Sequence, residues 1–195
     1  PTRNAEEIAH AIEGVGGSLE TYGGNNSFGI TAEVLSGDFA LGLDLLSECL
    51  LHPTWPAESV ERERTVQLAG IKGQRDHLLQ SAFKLMRRGL AGDSGYGLDQ
   101  LGTEASVQRL AAADLAAFHR RLVVPNNAVL SIFGDVETEA VHREVLRAFG
   151  DWETGQAVPE SPEPEPGAGT RLVESREKEQ ARSEEHTSEL QSRGL

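Results

Sequence analysis

Val15-Gly-Gly-Ser-Leu-Glu-Thr-Tyr-Gly-Gly-Asn-Asn-Ser-Phe-Gly-Ile-Thr-Ala-Glu-Val34, residues 15–34, sets the fold class of this 195-residue chain. Ser18 to Tyr22 and Ser27 to Val34 suit extended backbone, and the turn-prone Gly23-Gly24-Asn25-Asn26 lies between them. Glycine and asparagine tolerate the tight reversal that such a connection needs, so the stretch predicts a β-hairpin. On its N-terminal side the period changes. Ile8, Ala11, Ile12 and Val15 recur at helical spacing behind the capping pair Asn4 and Glu7, and Gly16-Gly17 stops that helix.

Downstream the pattern is mostly helical. Ser36 is placed to cap a helix that carries Phe39, Leu43, Leu46 and Leu50 on one face and ends near Pro53. Pro56 suits the first residue of a long helical region reaching about Leu90, with Val60, Leu68, Ile71, Leu78, Phe83 and Met86 as its buried stripe. Gly70 and Gly73 interrupt that region, each lowering helix propensity by about 1 kcal/mol relative to Ala. A Gly-rich loop over 91–102 precedes short helices near 104–110, capped by Thr103, and 112–122. Ala128 to Phe133 is apolar and predicts a strand, and Thr138 to Phe149 predicts an amphipathic helix closed by Gly150. The order predicts an α+β domain, an antiparallel sheet with helices packed on one face.

Composition narrows the function classes. Apolar residues make up 38% and charged residues 25%, as in soluble globular proteins. A formal net charge of −13 argues against nucleic acid or an anionic membrane as partner. No apolar run is long enough to span a bilayer, and there is no signal peptide or initiating Met. The opening Pro-Thr-Arg-Asn reads like the middle of a longer protein. A lone cysteine, Cys49, excludes an internal disulfide framework, and its apolar helical setting predicts a structural thiol.

The chain divides by composition. Residues 1–156 form the predicted domain, and 157–169, where prolines alternate with carboxylates, read as an extended inter-domain linker. Residues 170–181 read as the start of a following domain. Arg182-Ser-Glu-Glu-His-Thr-Ser-Glu-Leu-Gln-Ser192 resembles the conceptual translation of a sequencing adapter, so 182–195 are set aside from fold reasoning. Removing them subtracts two basic and three acidic residues and leaves −12, so the charge argument holds.

Several motifs then carry a resemblance, in order, over about three quarters of the chain, from Ala5 to Trp152. They are Ala5-Glu-Glu-Ile8 leading to Val15-Gly-Gly-Ser-Leu19, Asp38 to Leu46 through His52-Pro53, Val60-Glu-Arg-Glu-Arg64, Gly102-Thr-Glu-Ala-Ser106, and Pro125-Asn-Asn-Ala128 with Phe133-Gly-Asp-Val136. Together they resemble the M16 zinc metallopeptidases, the pitrilysin/insulinase/mitochondrial processing peptidase family, and imply its LuxS/MPP-like fold with the N-terminal part missing. The resemblance implies a zinc held by His-x-x-Glu-His and a distal glutamate, where metal-bound water attacks the peptide. It further implies peptide substrate paired to a sheet edge inside a chamber of two similar halves, of which often only one keeps the metal.

This chain departs from that pattern at the distal ligand. His-x-x-Glu-His is absent and would lie upstream of Pro1; the distal glutamate, seven residues after Glu63, falls on Gly70. Glu63 matches the family's supporting glutamate two turns away, and no neighbouring carboxylate moves to Gly70 with a one-residue slip. His10, His52, His77, His119, His142 and His186 are dispersed and form no ligand-like pair. Neither a Gly-x-Ser-x-Gly nucleophile motif nor a phosphate loop is present. Glu20, Thr21 and Tyr22 correspond by register to the family's substrate-pairing edge strand, where Glu20 stands in place of the usual asparagine.

The expectation is therefore a non-catalytic domain or subunit of a bacterial M16 metalloendopeptidase, with no catalytic residue and no metal ligand of its own. Zinc would reside in the catalytic half, and the partners would be a second M16-like domain or subunit and a peptide. The protein is expected to be soluble, in the cytoplasm or periplasm. A core-subunit-like scaffold without peptidase role, and a catalytic domain with unusual zinc ligands, are the alternatives.

Overall fold

The computed structural model describes residues 2–93, 95–158 and 171–175. Helix α1 (Ala5–Glu13) begins with the reciprocal cap that the sequence predicts: Asn4 Oδ1 accepts from the Glu7 N–H at 2.9 Å, and Glu7 Oε2 accepts from the Asn4 N–H at 2.7 Å. Gly16 turns the chain at φ +69°, a region that favours glycine. The hairpin follows as β1 (Ser18–Gly23) and β2 (Phe28–Glu33), antiparallel with Leu19 opposite Ala32 and Thr21 opposite Ile30. Leu19, Ile30 and Ala32, all half-buried, share one face; Glu20, Tyr22 and the half-buried Gly29 lie on the other.

A 3-10 turn (Ser36–Asp38) leads into α2 (Phe39–Leu51), which packs on β2, α1 and α7 (Thr138–Phe149). Leu45 is fully buried there, and Leu43 and, on α1, Ile12 are also buried. Close approach makes glycine necessary at one junction: a Cβ on Gly42 would stand 2.9 Å from Val34 Cγ2, so α2 rests directly on the end of the hairpin. The second half of the fold pairs α3 (Ala57–Gln74) with α5 (Glu104–Arg109), burying Ile71 and Val107. Helices α4 (Leu78–Ala91) and α6 (Ala112–Leu122) complete a helix-rich α+β architecture on a two-stranded antiparallel sheet.

Several expectations are corrected. The region 56–90 is two helices, because Arg75, Asp76 and His77 bond three residues back, to Lys72, Gly73 and Gln74, tightening and ending α3. The polar run from Lys72 to His77 offers no apolar side chain to hold a continuous helix across that point. Pro56 is the N-cap rather than the first helical residue, and Asp38, not Ser36, holds the N-cap of α2. Of the predicted stripe, Ile71 is buried and Val60 and Leu68 are half-buried, whereas Leu78, Phe83 and Met86 are exposed.

Ala128 to Phe133 is not a strand among the described residues. Val129 and Phe133 are each 93% exposed and no other strand pairs with the segment. Apolar, β-branched character makes a segment fit a pleated surface, but a strand exists only beside a hydrogen-bonding neighbour. Residues 157–158 and 171–175 have no regular structure; the rest of the expected linker and following segment, and all of 182–195, lie outside the described residues.

Candidate functional site

Helix α3 carries the positions that matter most to the sequence reading, and it presents them on two faces. Val60, Arg64, Gln67 and Ile71 recur every three or four residues and turn toward α5 and the loop before it. Arg64 is 16% exposed, and its guanidinium bonds the carbonyls of Val107 and, at 2.6 Å, Leu110. Its Nε also bonds Glu61 at 3.1 Å. Gln67 Nε2 donates to the Leu101 carbonyl at 3.0 Å. The Val60-Glu-Arg-Glu-Arg64 motif thus contains a structural arginine that caps the end of α5. Sequence reasoning missed this, since the two carbonyls lie 43 and 46 residues away.

Glu63 and Gly70 lie on the flank of the same helix. The Glu63 side chain is 74% exposed, with Arg62 at 3.8 Å, and a Cβ added at Gly70 would meet nothing within 4 Å. A zinc ion needs fixed donors at about 2.0–2.2 Å, and this flank offers one solvated carboxylate and a bare backbone. Among the described residues no group of three His, Cys, Asp or Glu could hold a metal ion. The residues present do not fit the distal half of a zinc site.

The histidines are placed apart. His10, His52, His77 and His142 are exposed, while half-buried His119 donates through Nε2 to the Leu50 carbonyl at 2.7 Å and stands edge-on to Trp55. His119 therefore joins α6 to the end of α2, and His186 lies outside the described residues. Cys49 is half-buried and burial pushes its thiol pKa up, the setting of an unreactive thiol.

Strand β1 pairs only with β2 among the described residues, which leaves its other edge open. Tyr22 stacks across the hairpin onto Gly29, where a Cβ would come within 2.8 Å of the ring. Thr21 lies on the helix-facing side, and Glu20 shares the outer face with Tyr22. The hairpin tip is tied down: Asn26 bonds the Tyr96 hydroxyl and Gln100 bonds Asn25. Between α3 and α5 runs a groove of about 590 Å³ whose walls include Trp55, Val60 and Val107, with Ser59, Glu63, Arg64 and Asp99 among its polar members. Arg64 is engaged there with two carbonyls and Asp99 with Lys84.

Electrostatics elsewhere serve the fold. Burial alone would raise the Glu48 carboxyl, but the Arg3 N–H, the Thr2 hydroxyl and N–H and the Arg3 guanidinium outweigh it and leave a pKa of about 2. Asp99 is also held low: Lys84 at 2.7 Å and the Leu101 N–H overcome its burial. No helix of the described residues is long and apolar enough to cross a membrane.

Comparison with known proteins agrees with this architecture. The profile of the family described as Peptidase M16 inactive domain matches residues 109–185. The chain is 31% identical over 150 residues to an uncharacterized zinc protease of Mycobacterium tuberculosis, covering 77% of this chain and 34% of that protein. It is 29% identical over 147 residues to one of Streptomyces coelicolor, covering 75% and 32%. The chain thus spans about a third of the length of these curated relatives. In fold it is similar to the M16 inactive domain from Pseudomonas fluorescens, with a TM-score of 0.75 at 23% identity over 84% of this chain and 40% of that one. A Helicobacter pylori protease gives 0.70 at 19%, with the same coverage. Ordered motifs, helix-rich fold and relatives agree: the chain belongs to the M16 peptidase family.

Proposed function

We propose that this chain is part of an M16 zinc endopeptidase and supplies its non-catalytic domain or subunit, which helps to enclose peptide substrate. Gly70 carries the reading. At the family's distal-ligand position the chain has no side chain, and the space around it is open. The zinc and its activated water belong to a second M16-like domain or subunit, and this half contributes a wall to the chamber. Glu20, Thr21 and Tyr22 on the open edge of β1 line that wall rather than bind the scissile segment, since Tyr22 is committed to covering Gly29.

The test is zinc content after dialysis against a mild chelator, measured with cleavage of a quenched-fluorescent peptide library. The purified chain is expected to retain no stoichiometric zinc and to cleave nothing. Stoichiometric zinc that survives chelation would sink the proposal. Reading the coding sequence upstream of Pro1 supplies an independent check: an intact His-x-x-Glu-His there would require a third ligand other than position 70.

A further inference from the structure

Helix α4 has an apolar stripe that includes Leu79, Phe83, Met86 and Leu90, all exposed. One place beside that stripe is covered. Leu172, from the short segment 171–175, sits over Gly89, so that a Cβ built there would stand 2.7 Å from Leu172 Cδ1. Gly89 is not among the glycines with positive φ, so its use is the missing side chain and not backbone freedom. Glycine is a poor helix former, and a notch for Leu172 accounts for one here. The neighbouring residue behaves differently: Leu172 is 43% exposed, whereas Val173 is 71% exposed.

We infer that residues 171–175 form a strap keyed to α4, with Leu172 in the glycine notch as the key. The strap brings the chain back onto the domain after the acidic, proline-rich stretch. It fixes the polypeptide beside the apolar stripe of α4, whatever the metal content of the protein. The occupant of this part of α4 is thus the chain's own continuation.

Trypsin reports on the strap, because cleavage after Arg171 requires the adjoining residues to lift away from α4. Two variants disrupt the contact from opposite sides. Gly89→Leu fills the notch with a good helix former, and Leu172→Asp removes the apolar key. In each, the initial rate of cleavage at the Arg171–Leu172 bond, followed by mass spectrometry of the full chain in chelator, is expected to rise about fivefold, the scale set by freeing a half-buried leucine. The double variant should be no faster than either single one, because both remove the same contact. Helical circular dichroism controls for folding, and Leu172→Asp keeps the test valid should Gly89→Leu perturb α4. Cleavage within twofold of the parent in both variants, or additive acceleration in the double variant, overturns the strap.

Discussion

Replacing Arg64 separates a structural arginine from a catalytic motif. Arg64→Met keeps the aliphatic stem and removes the fork that bonds the Val107 and Leu110 carbonyls. A hydrogen bond from a charged donor contributes about 1.5–3 kcal/mol where it is desolvated. The Val107 contact is partly buried and falls near the low end of that range; the Leu110 contact is exposed and is worth roughly 0.5–1 kcal/mol. The ion pair to Glu61, three residues away on an exposed surface, adds about 0.3 kcal/mol. The expected loss is therefore about 2–3 kcal/mol, a large share of the 5–15 kcal/mol typical of a domain. Urea unfolding followed at 222 nm measures it as a lower midpoint at unchanged slope. Arg64→Lys should fall between, since one ammonium replaces a planar fork. Exposed Glu63→Gln should stay within about 0.5 kcal/mol of the parent. If Arg64→Met costs less than about 0.5 kcal/mol, or Glu63→Gln costs as much as Arg64→Met, the capping role assigned to Arg64 is wrong.

The remaining predictions concern other joints of the fold. Glu48 has a folded pKa of about 2 against an ordinary 4.5, so its contribution is present above pH 4.5 and is lost as pH falls toward 2. Glu48→Gln should lower the melting temperature at pH 7 and flatten its decline between pH 4.5 and 2; an unchanged acid slope would count against the Thr2–Arg3 clasp. Asn126 bonds Gly155 reciprocally, donating to its carbonyl at 3.2 Å and accepting from its N–H at 3.0 Å, so Asn126→Ala should cost about 1–2 kcal/mol in the same urea assay. Gly70→Glu has open space for its side chain and gains helix propensity, so it should raise stability by up to about 1 kcal/mol yet create no chelator-resistant zinc site. Retained zinc in that variant would mean that the remaining ligands lie within this chain.

The hairpin, the caps at Asn4 and Thr103 and most helices were legible because their causes are local. A cap depends on residues three apart, and a turn on four consecutive residues. What failed to read depends on distance. Nothing near Arg64 announces carbonyls 43 and 46 residues away, and nothing in 128–133 says whether a neighbouring strand is present. The apolar period of α4 correctly gave a helix, but periodicity fixes which residues share a face, not whether that face is covered. Gly70 was read from register against the family pattern; the open space that a Cβ there would enter could not be read from the sequence. Val60 and Ile71 were read as part of the buried stripe of α3, while the hydrogen bonds of Arg64 and Gln67 from that same face were not.

That division of α3 separates the side chains that hold the helix from the position where the proposed function places a missing ligand. Val60, Arg64, Gln67 and Ile71 attach the helix to α5 through burial and hydrogen bonds to backbone carbonyls. Glu63 and Gly70 contribute almost nothing to that attachment: one is solvated beside Arg62, the other has no side chain. A glutamate at position 70 would point away from α5, so its absence leaves the buried contacts intact. Stability and metal binding then respond to different substitutions on one helix. Arg64 variants should lower the unfolding midpoint, while a side chain at position 70 has open space to occupy and changes stability mainly through helix propensity. That independence supports the function proposed above, in which this domain would contribute shape to a chamber and leave the metal chemistry to a second domain or subunit.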